Sequence, residues 1–279
     1  MSDHISPLKK YQRRPKLYID LPSQGKWYPP GTLAKSSELA VYSMTASDEI
    51  SIKTPDALFN GETTVGIIQS CIPDIKNAWQ MPVIDLYVCL AAIRMASYGT
   101  ELSVTSKCAK CSEENSYAIN LQRIIDHYQG KHFVEETNHE GYTFEVVPLS
   151  FKEINDISVR NFKIQRQIFQ YASKIENEDE RDSQLRSLYD KLMDINVGSV
   201  VQHIVRIVTD ENEEETDINA IADFIQDSDK EFYRAVQNLV TRNNKEYALP
   251  ENETVCPSCE HSDNLVLDLD YSNFFVQYS

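Results

Sequence analysis

The chain has 279 residues, of which 41% are hydrophobic and 25% charged, and its formal net charge at pH 7 is −16. No apolar run reaches the roughly 20 residues of a membrane helix, and the first 14 residues lack the apolar core of a secretory signal. The acidity argues against a general nucleic-acid binder, because phosphate binding requires a basic surface. We therefore expect a soluble protein of a cytosol-like compartment, where six cysteines indicate metal ligands or free thiols rather than disulfides.

Residues 1–15 form a locally basic segment on this acidic chain, with Lys9, Lys10, Arg13 and Arg14 close together. The pattern predicts a flexible arm, either disordered and solvated or docked on an acidic partner. Alternation at 16–21 predicts a strand, and a second strand is predicted at 39–44.

A turn-rich loop between these two strands carries Trp27 and Tyr28. These aromatic residues are candidates for an interface anchor, with coverage of the protein's own core as the alternative.

Three helices are predicted next. Thr54-Pro55 is typical of a helix N-terminus and predicts a first, short helix. Residues 63–71 have apolar positions at helical spacing and predict a second. The third has the clearest helical periodicity; it begins after Met81-Pro82 and ends at Gly99. Cys71 and Cys89 fall among the apolar positions, so we interpret them as buried packing thiols.

Two Cys-x-x-Cys pairs are the most specific pattern in the chain. Cys108 and Cys111 lie between predicted strands at 102–106 and 116–121, and Cys256 and Cys259 lie between 253–255 and an alternating strand at 265–271. Each pair has the form of a zinc knuckle, and together they predict a zinc ribbon with one structural Zn²⁺ bound by four thiolates.

Other interpretations of the cysteines stay open. The alternatives are four unliganded thiols, a redox-active Cys-x-x-Cys pair and an Fe–S site. The redox alternative is disfavoured, because redox motifs usually lie at the start of a helix beside a βαβ unit and neither pair does. His261 is interpreted as an ordinary loop residue rather than a ligand.

The segment between the two pairs is predicted to be mostly helical. A short helix at 123–128 precedes a β-hairpin formed by 132–135 and 142–147. Ser150-Phe-Lys-Glu153 is a capping box that opens a long helix, whose stripe includes Phe162 and Phe169, and 180–195 completes a helical hairpin. Residues 197–208 are predicted as helix or strand. Asp217 and the box Ser228–Glu231 open two further helices.

The fold class expected is therefore α+β. Residues 16–126 and 246–279 are predicted to form a mixed domain with the zinc ribbon, and 127–245 a mostly helical insertion. Phe274 and Phe275 lie in an aromatic C-terminal segment, which packs in its own core or docks on a neighbouring subunit.

No catalytic pattern is present, so the sequence predicts no enzyme. With 8 glycines, the chain has no phosphate-binding loop, and neither H-E-x-x-H nor G-x-S-x-G occurs. An unrecognised hydrolase, built from residues distant in sequence, is a third class of function to test.

Several short motifs occur in a familiar order: LYIDLPSQGKWYPPG, VYSMTASDEI, TPDALFNG, IIQSCI, DLYVCLAAIRMASYG, CAKC and YAINL. Together with the second knuckle, they resemble the baseplate hub assembly proteins of T4-like contractile-tailed bacteriophages. The resemblance covers about half of the chain and leaves out 150–245.

The resemblance implies a structural or assembly protein of the tail baseplate hub. It implies contacts with other baseplate and hub proteins, as an oligomer or a hetero-complex. The expected location is the host cytoplasm during assembly and the virion tail baseplate.

The alternative function is a zinc-ribbon protein associated with nucleic acid, such as a transcription accessory factor. Charge near the knuckles argues against it, because Lys107 and Lys110 are outnumbered by the acidic residues Glu113, Glu114, Glu253, Glu260 and Asp263.

Overall fold

The computed structural model describes residues 13–52, 61–174 and 178–267. It is a mixture of helices and antiparallel strands, so the predicted α+β class is confirmed. The chain divides into two compact units. The first consists of the described residues within 1–81, 85–131 and 249–279, and the second of 82–84 and those within 132–248.

The first unit has a buried helix at its centre. Strands β1 (Leu17–Ile19) and β2 (Leu39–Val41) pair antiparallel. Helices α1 (Ala46–Ile52) and α2 (Glu62–Cys71) follow, and after a 3₁₀ turn comes α3 (Leu86–Tyr98). Eight of the nine positions from Leu86 to Arg94 in α3 are buried, Tyr87 being the exception, because the sequence of this helix is apolar on most sides.

Two β-hairpins complete the first unit. The first joins β3 (Glu101–Lys107) to β4 (Glu114–Asn120) and leads into α4 (Gln122–Tyr128). The second joins β9 (Glu251–Val255) to β10 (Ser262–Val266). Each Cys-x-x-Cys pair lies in the loop of one of these hairpins.

The second unit is a four-stranded antiparallel sheet packed against helices. Its strand order is β5 (Glu136–His139), β6 (Tyr142–Val146), β7 (Ile204–Val208) and β8 (Glu214–Glu215). The two-residue turn of the β5–β6 hairpin has positive φ at Glu140 and Gly141, as a type I′ turn requires.

The helices of the second unit are α5 (Phe151–Lys174), α6 (Glu178–Val201), α7 (Ile218–Asp227) and α8 (Lys230–Glu246). Its core is formed by apolar side chains of β6, β7, the end of α6, α7 and α8: Phe144, Val146, Val200, Val201, Ile204, Ile207, Ile221, Ile225, Val236, Leu239 and Val240. Within the part of the chain that the structure describes, no helix has both the length and the apolar character to cross a bilayer.

Several predicted elements differ from the structure. The first strand of the β5–β6 hairpin was predicted at 132–135 but lies at Glu136–His139. The ambiguous segment 197–208 is divided, because α6 continues to Val201 before β7 begins at Ile204. Helix α1 was not predicted, and the start signal Thr54-Pro55 lies outside the described residues.

The capping signals had mixed outcomes. The Ser150 box is confirmed, because Ser150 N–H and Oγ–H both donate to Glu153 Oε2 at 2.7 Å. The Ser228 box is wrong, since α8 begins after Asp229 and Glu231 instead accepts from Arg234 Nη1 at 2.9 Å.

Candidate metal centre and contact surfaces

The four cysteines of the two hairpin loops meet at one place. Their Sγ atoms all lie within 4.8 Å of one another. The Sγ atoms of Cys108 and Cys259 are 3.6 Å apart, and those of Cys111 and Cys256 are 3.7 Å apart. The thiols are therefore free rather than joined in disulfides, whose S–S length is about 2.05 Å.

This spacing fits a single tetrahedral ion. With Zn–S bonds of about 2.3 Å, two sulfurs of a tetrahedral site lie about 3.8 Å apart, close to the two distances observed. Clusters with several irons spread their thiolates around more than one metal atom, so the compact arrangement favours a mononuclear site.

The two knuckles have the same backbone structure, although their sequences share only the cysteines. Lys107 pairs with Glu114 at the neck of the first, and Val255 with Ser262 at the neck of the second. In each loop, the N–H of the first cysteine donates to the carbonyl of the residue five positions later (Glu113 or His261) at 2.9 Å. The carbonyl of the same cysteine accepts from the N–H of the residue four positions later (Ser112 or Glu260), also at 2.9 Å.

A left-handed residue closes each of the two loops. Ser112 has φ 59° and Glu260 has φ 56°, and each directly follows the second cysteine of its pair. Non-glycine residues rarely adopt this conformation. Its occurrence at equivalent positions shows that the loops converge on one geometry, which turns both sulfurs inward.

Amide N–H groups of each loop point at the sulfurs and favour thiolates. Amides of Cys111 and Lys110 lower the pKa of Cys108. Burial raises the pKa of Cys256, but the amides of Ser258 and Cys259 outweigh it and bring the value to about 6. Such donors disperse the negative charge of a tetrathiolate site.

In the absence of a cation, the pKa of Cys111 is raised, whereas those of Cys108 and Cys256 are lowered. The amide of Glu113 favours the Cys111 thiolate, but the side chain of Cys259 and burial outweigh it, and the pKa of Cys111 rises to about 12. Four adjacent sulfurs cannot all ionise without a compensating positive charge. A divalent cation supplies that charge, so this donor set suits a metal ion.

Asn115 supports the site from the first hairpin. Its side chain is 9% exposed, and Nδ2 donates to Cys256 Sγ at 3.4 Å and to the Glu113 carbonyl at 3.1 Å. It therefore links the loop of one knuckle to a thiolate of the other, as groups around a metal ligand commonly do. Sequence analysis missed this residue, because an asparagine in a strand has no metal-site signature.

The loop with Trp27 and Tyr28 contacts the interior of the first unit. Both side chains are half-buried, and the Tyr28 hydroxyl donates to Asp85 Oδ2 at 3.0 Å. Asp85 is fully buried and also accepts from Ser23 N–H at 2.8 Å and Ser23 Oγ–H at 2.6 Å. The tyrosine hydroxyl is therefore used within the unit, while the predicted interface role of this loop stays a prediction.

Gly25 fixes the path of this loop. Its φ is +80°, and a Cβ at this position would lie 2.6 Å from Ser36 Cβ, so a side chain cannot be accommodated without movement.

The other candidate residues have separate outcomes. Cys71 and Cys89 are confirmed as buried thiols. Arg13, the first described residue of the basic segment, donates to the carbonyls of Ser43 and Ser70. Residues 1–12 and the predicted contacts Phe274 and Phe275 lie outside the described residues, so their roles stay predictions.

Comparison with known proteins agrees with the resemblance noted in the sequence and extends it. No curated protein and no solved structure gives a significant match to the chain. The family model described as "T4 bacteriophage base plate protein" matches residues 15–276, which includes the segment 150–245 that the short motifs left out. Since this match covers nearly the whole chain, the protein belongs to the family of T4 bacteriophage base plate proteins.

Proposed function

We propose that this protein is a structural or assembly component of the hub of a contractile phage tail baseplate. It acts through contacts with other baseplate and hub proteins, on a scaffold closed by a structural Zn²⁺. The family match over residues 15–276 carries the proposal. The expected location is the host cytoplasm during assembly and then the tail baseplate.

The geometry of the four cysteines supports the structural role of the metal. Four thiolates at tetrahedral spacing leave no open coordination position, and a catalytic zinc needs one for water or substrate. Cys108, Cys111, Cys256 and Cys259 would hold the ion. Its contribution is to fix two β-hairpins that are far apart in the sequence.

The charge on the ribbon surface supports protein partners over nucleic acid. The exposed side chains around the knuckles include five carboxylates, Glu113, Glu114, Glu253, Glu260 and Asp263, and two lysines, Lys107 and Lys110. Such a surface repels phosphate. Salt-dependent retardation of a DNA or RNA probe would instead support the nucleic-acid alternative.

The test is affinity purification of the tagged chain from phage-infected cells, with mass spectrometry of the proteins that accompany it. We expect baseplate and hub proteins with the unmodified chain, and a metal analysis of about one Zn²⁺ per chain, as one tetrathiolate site requires. Cys108→Ser should lose the zinc and most of the soluble protein, because metal affinity contributes directly to folding.

Cys89→Ala is the matched control, since Cys89 is a buried thiol outside the cluster. It should keep both the zinc and the accompanying proteins. Recovery of the unmodified, zinc-loaded chain without any baseplate protein would contradict the hub proposal.

A further inference from the structure

The four sulfurs of the metal centre differ in how far solvent reaches them. Cys108 and Cys256, the first cysteine of each pair, are 6% and 2% exposed. Cys259 is half-buried, whereas Cys111 is exposed. The loop that carries Cys111 is exposed at every position from 109 to 114, so a small molecule in solution can approach this sulfur directly.

Hydrogen bonding to the sulfurs follows the same division between first and second cysteines. In each loop, the sulfur of the first cysteine interacts with two backbone amides, which lie two and three residues further along the chain. The sulfur of the second cysteine interacts with one amide, which lies two residues further along. The buried sulfurs are therefore also the ones with more N–H donors.

Asn115 adds a side-chain donor to one of the two buried sulfurs. Its Nδ2 donates to Cys256 Sγ at 3.4 Å. Because the two knuckles match position by position, the residue equivalent to Asn115 in the second hairpin is Asp263, seven residues after the first cysteine of its pair. Asp263 is exposed, and an ionised carboxylate cannot donate a hydrogen bond. The two knuckles therefore differ, and Cys256 is the sulfur with the most N–H donors.

These differences determine reactivity once the four sulfurs bind a cation. All of them are then thiolates, so their degree of ionisation no longer distinguishes them. Access and hydrogen bonding still do, because an N–H donor draws charge from the lone pairs with which a thiolate attacks. Cys111 combines the greatest exposure with few donors, and Cys256 combines the least exposure with the most donors.

We propose that Cys111 is the modification site of the metal centre, at which a soft carbon electrophile reacts first. With a haloacetamide, the Cys111 sulfur forms a new bond to carbon while the carbon–halogen bond breaks, and the halide leaves with the electron pair of that bond. The product is a neutral thioether, which attracts a cation less strongly than a thiolate does. Modification at Cys111 should therefore open the site from the first knuckle.

This inference rests on the proposed metal site and extends it by naming its reactive residue. The test treats the purified, full-length protein, shown by metal analysis to hold zinc, with a limiting amount of iodoacetamide. Peptide mass spectrometry measures the label at each cysteine over time. We expect Cys111 to react at least about tenfold faster than Cys256, since contacts around a metal ligand change such sites by factors of this size. Zinc release, followed with a chromogenic chelator, should accompany the labelling of Cys111.

Cys71 and Cys89 are the internal controls. Both are fully buried and lie outside the cluster, so they should stay unlabelled while the protein is folded. Labelling of these two thiols at the same rate as Cys111 would mean that unfolding exposes all the cysteines together, and it would contradict the proposal.

A pair of matched variants assigns the fast reaction to one sulfur. Cys111→His and Cys256→His each leave three thiolates and one imidazole, a ligand set that structural zinc sites also use. The fast reaction should disappear in the first variant and remain in the second. The order of labelling in the unmodified protein tests the proposal independently of whether these variants fold.

The outcomes separate this inference from the metal proposal. Zinc-loaded protein that reacts first at Cys108, Cys256 or Cys259, or at all four cysteines equally fast, would overturn the role of Cys111 and leave the metal site standing. Purified protein without any bound metal would contradict both.

Discussion

Asp85 is the carboxyl group whose burial has the clearest consequence for stability. It lies at the start of α3 with no exposed surface. Burial raises its pKa to about 6, although hydrogen bonds from Ser23 and Tyr28 favour the charged form. The folded protein therefore binds a proton more tightly than the unfolded chain does, in which the pKa of this group has its ordinary value of 3.8.

The sign of the pH dependence follows from that difference. The contribution of Asp85 to stability is fully present below pH 4 and is lost as the pH rises through 6. We expect Asp85→Asn, which cannot ionise, to gain about 2 to 3 kcal/mol relative to the unmodified protein between pH 4 and pH 7. Urea unfolding of both proteins across this range measures the difference, and a pH-independent difference would contradict the expectation.

Tyr28 shows the limit of sequence interpretation for single residues. From the sequence alone, two adjacent aromatic residues in a loop are equally consistent with a surface that binds a partner and with packing over the protein's own core. The hydroxyl of Tyr28 is held by Asp85, which is 57 residues away in sequence. No local pattern links the two positions, so only the fold identifies the tyrosine's partner. The cysteines differ, because their spacing itself encodes a ligand geometry.

At the scale of elements, a side-chain cap determines where α7 begins. Asp217 Oδ1 accepts from the N–H groups of Asn219 and Ala220 at 2.9 and 3.0 Å. We expect Asp217→Ala to lower the free energy of unfolding by about 1 kcal/mol, because two amide groups lose their acceptor. Thermal unfolding followed by circular dichroism measures the change.

Asp229→Ala is the control for this cap. Asp229 precedes α8 in the same unit but makes no side-chain cap hydrogen bond, so the loss should be smaller. Equal losses at the two positions would assign the effect to charge near a helix end rather than to the hydrogen bonds.

Element predictions succeeded where one local signal was decisive. Apolar spacing, Gly99 and the Ser150 box located α3 and the start of α5. Helix α1 was missed although Thr45 and Asp48 form a reciprocal cap, with Asp48 N–H donating to Thr45 Oγ1 at 3.2 Å. On α5, the predicted stripe included two exposed phenylalanines, because periodicity alone cannot tell which apolar side chains a fold leaves at the surface.

At the scale of the molecule, the cysteine cluster connects segments separated by most of the second unit's sequence. Closing a loop of more than 100 residues costs on the order of 5 kcal/mol in chain entropy. A two-stranded hairpin is marginally stable alone, so we expect the ribbon to depend on both the proposed metal ion and the core of the first unit. The second unit has its own apolar core. The mostly helical insertion predicted for residues 127–245 stays a prediction.

Removal of the metal should therefore act on one unit. We expect a strong chelator to increase amide hydrogen exchange in β3, β4, β9 and β10, because their loops lose the bonds that join them. Strands β6 and β7 should keep their protection, since Phe144, Val146 and Ile207 are buried in a core without metal ligands. Hydrogen-exchange mass spectrometry with and without the chelator, read peptide by peptide, makes the comparison within one molecule. Equal loss of protection in both sheets would show that the metal stabilises the chain as a single cooperative structure, whereas no loss in the ribbon would show that the knuckles hold together without it.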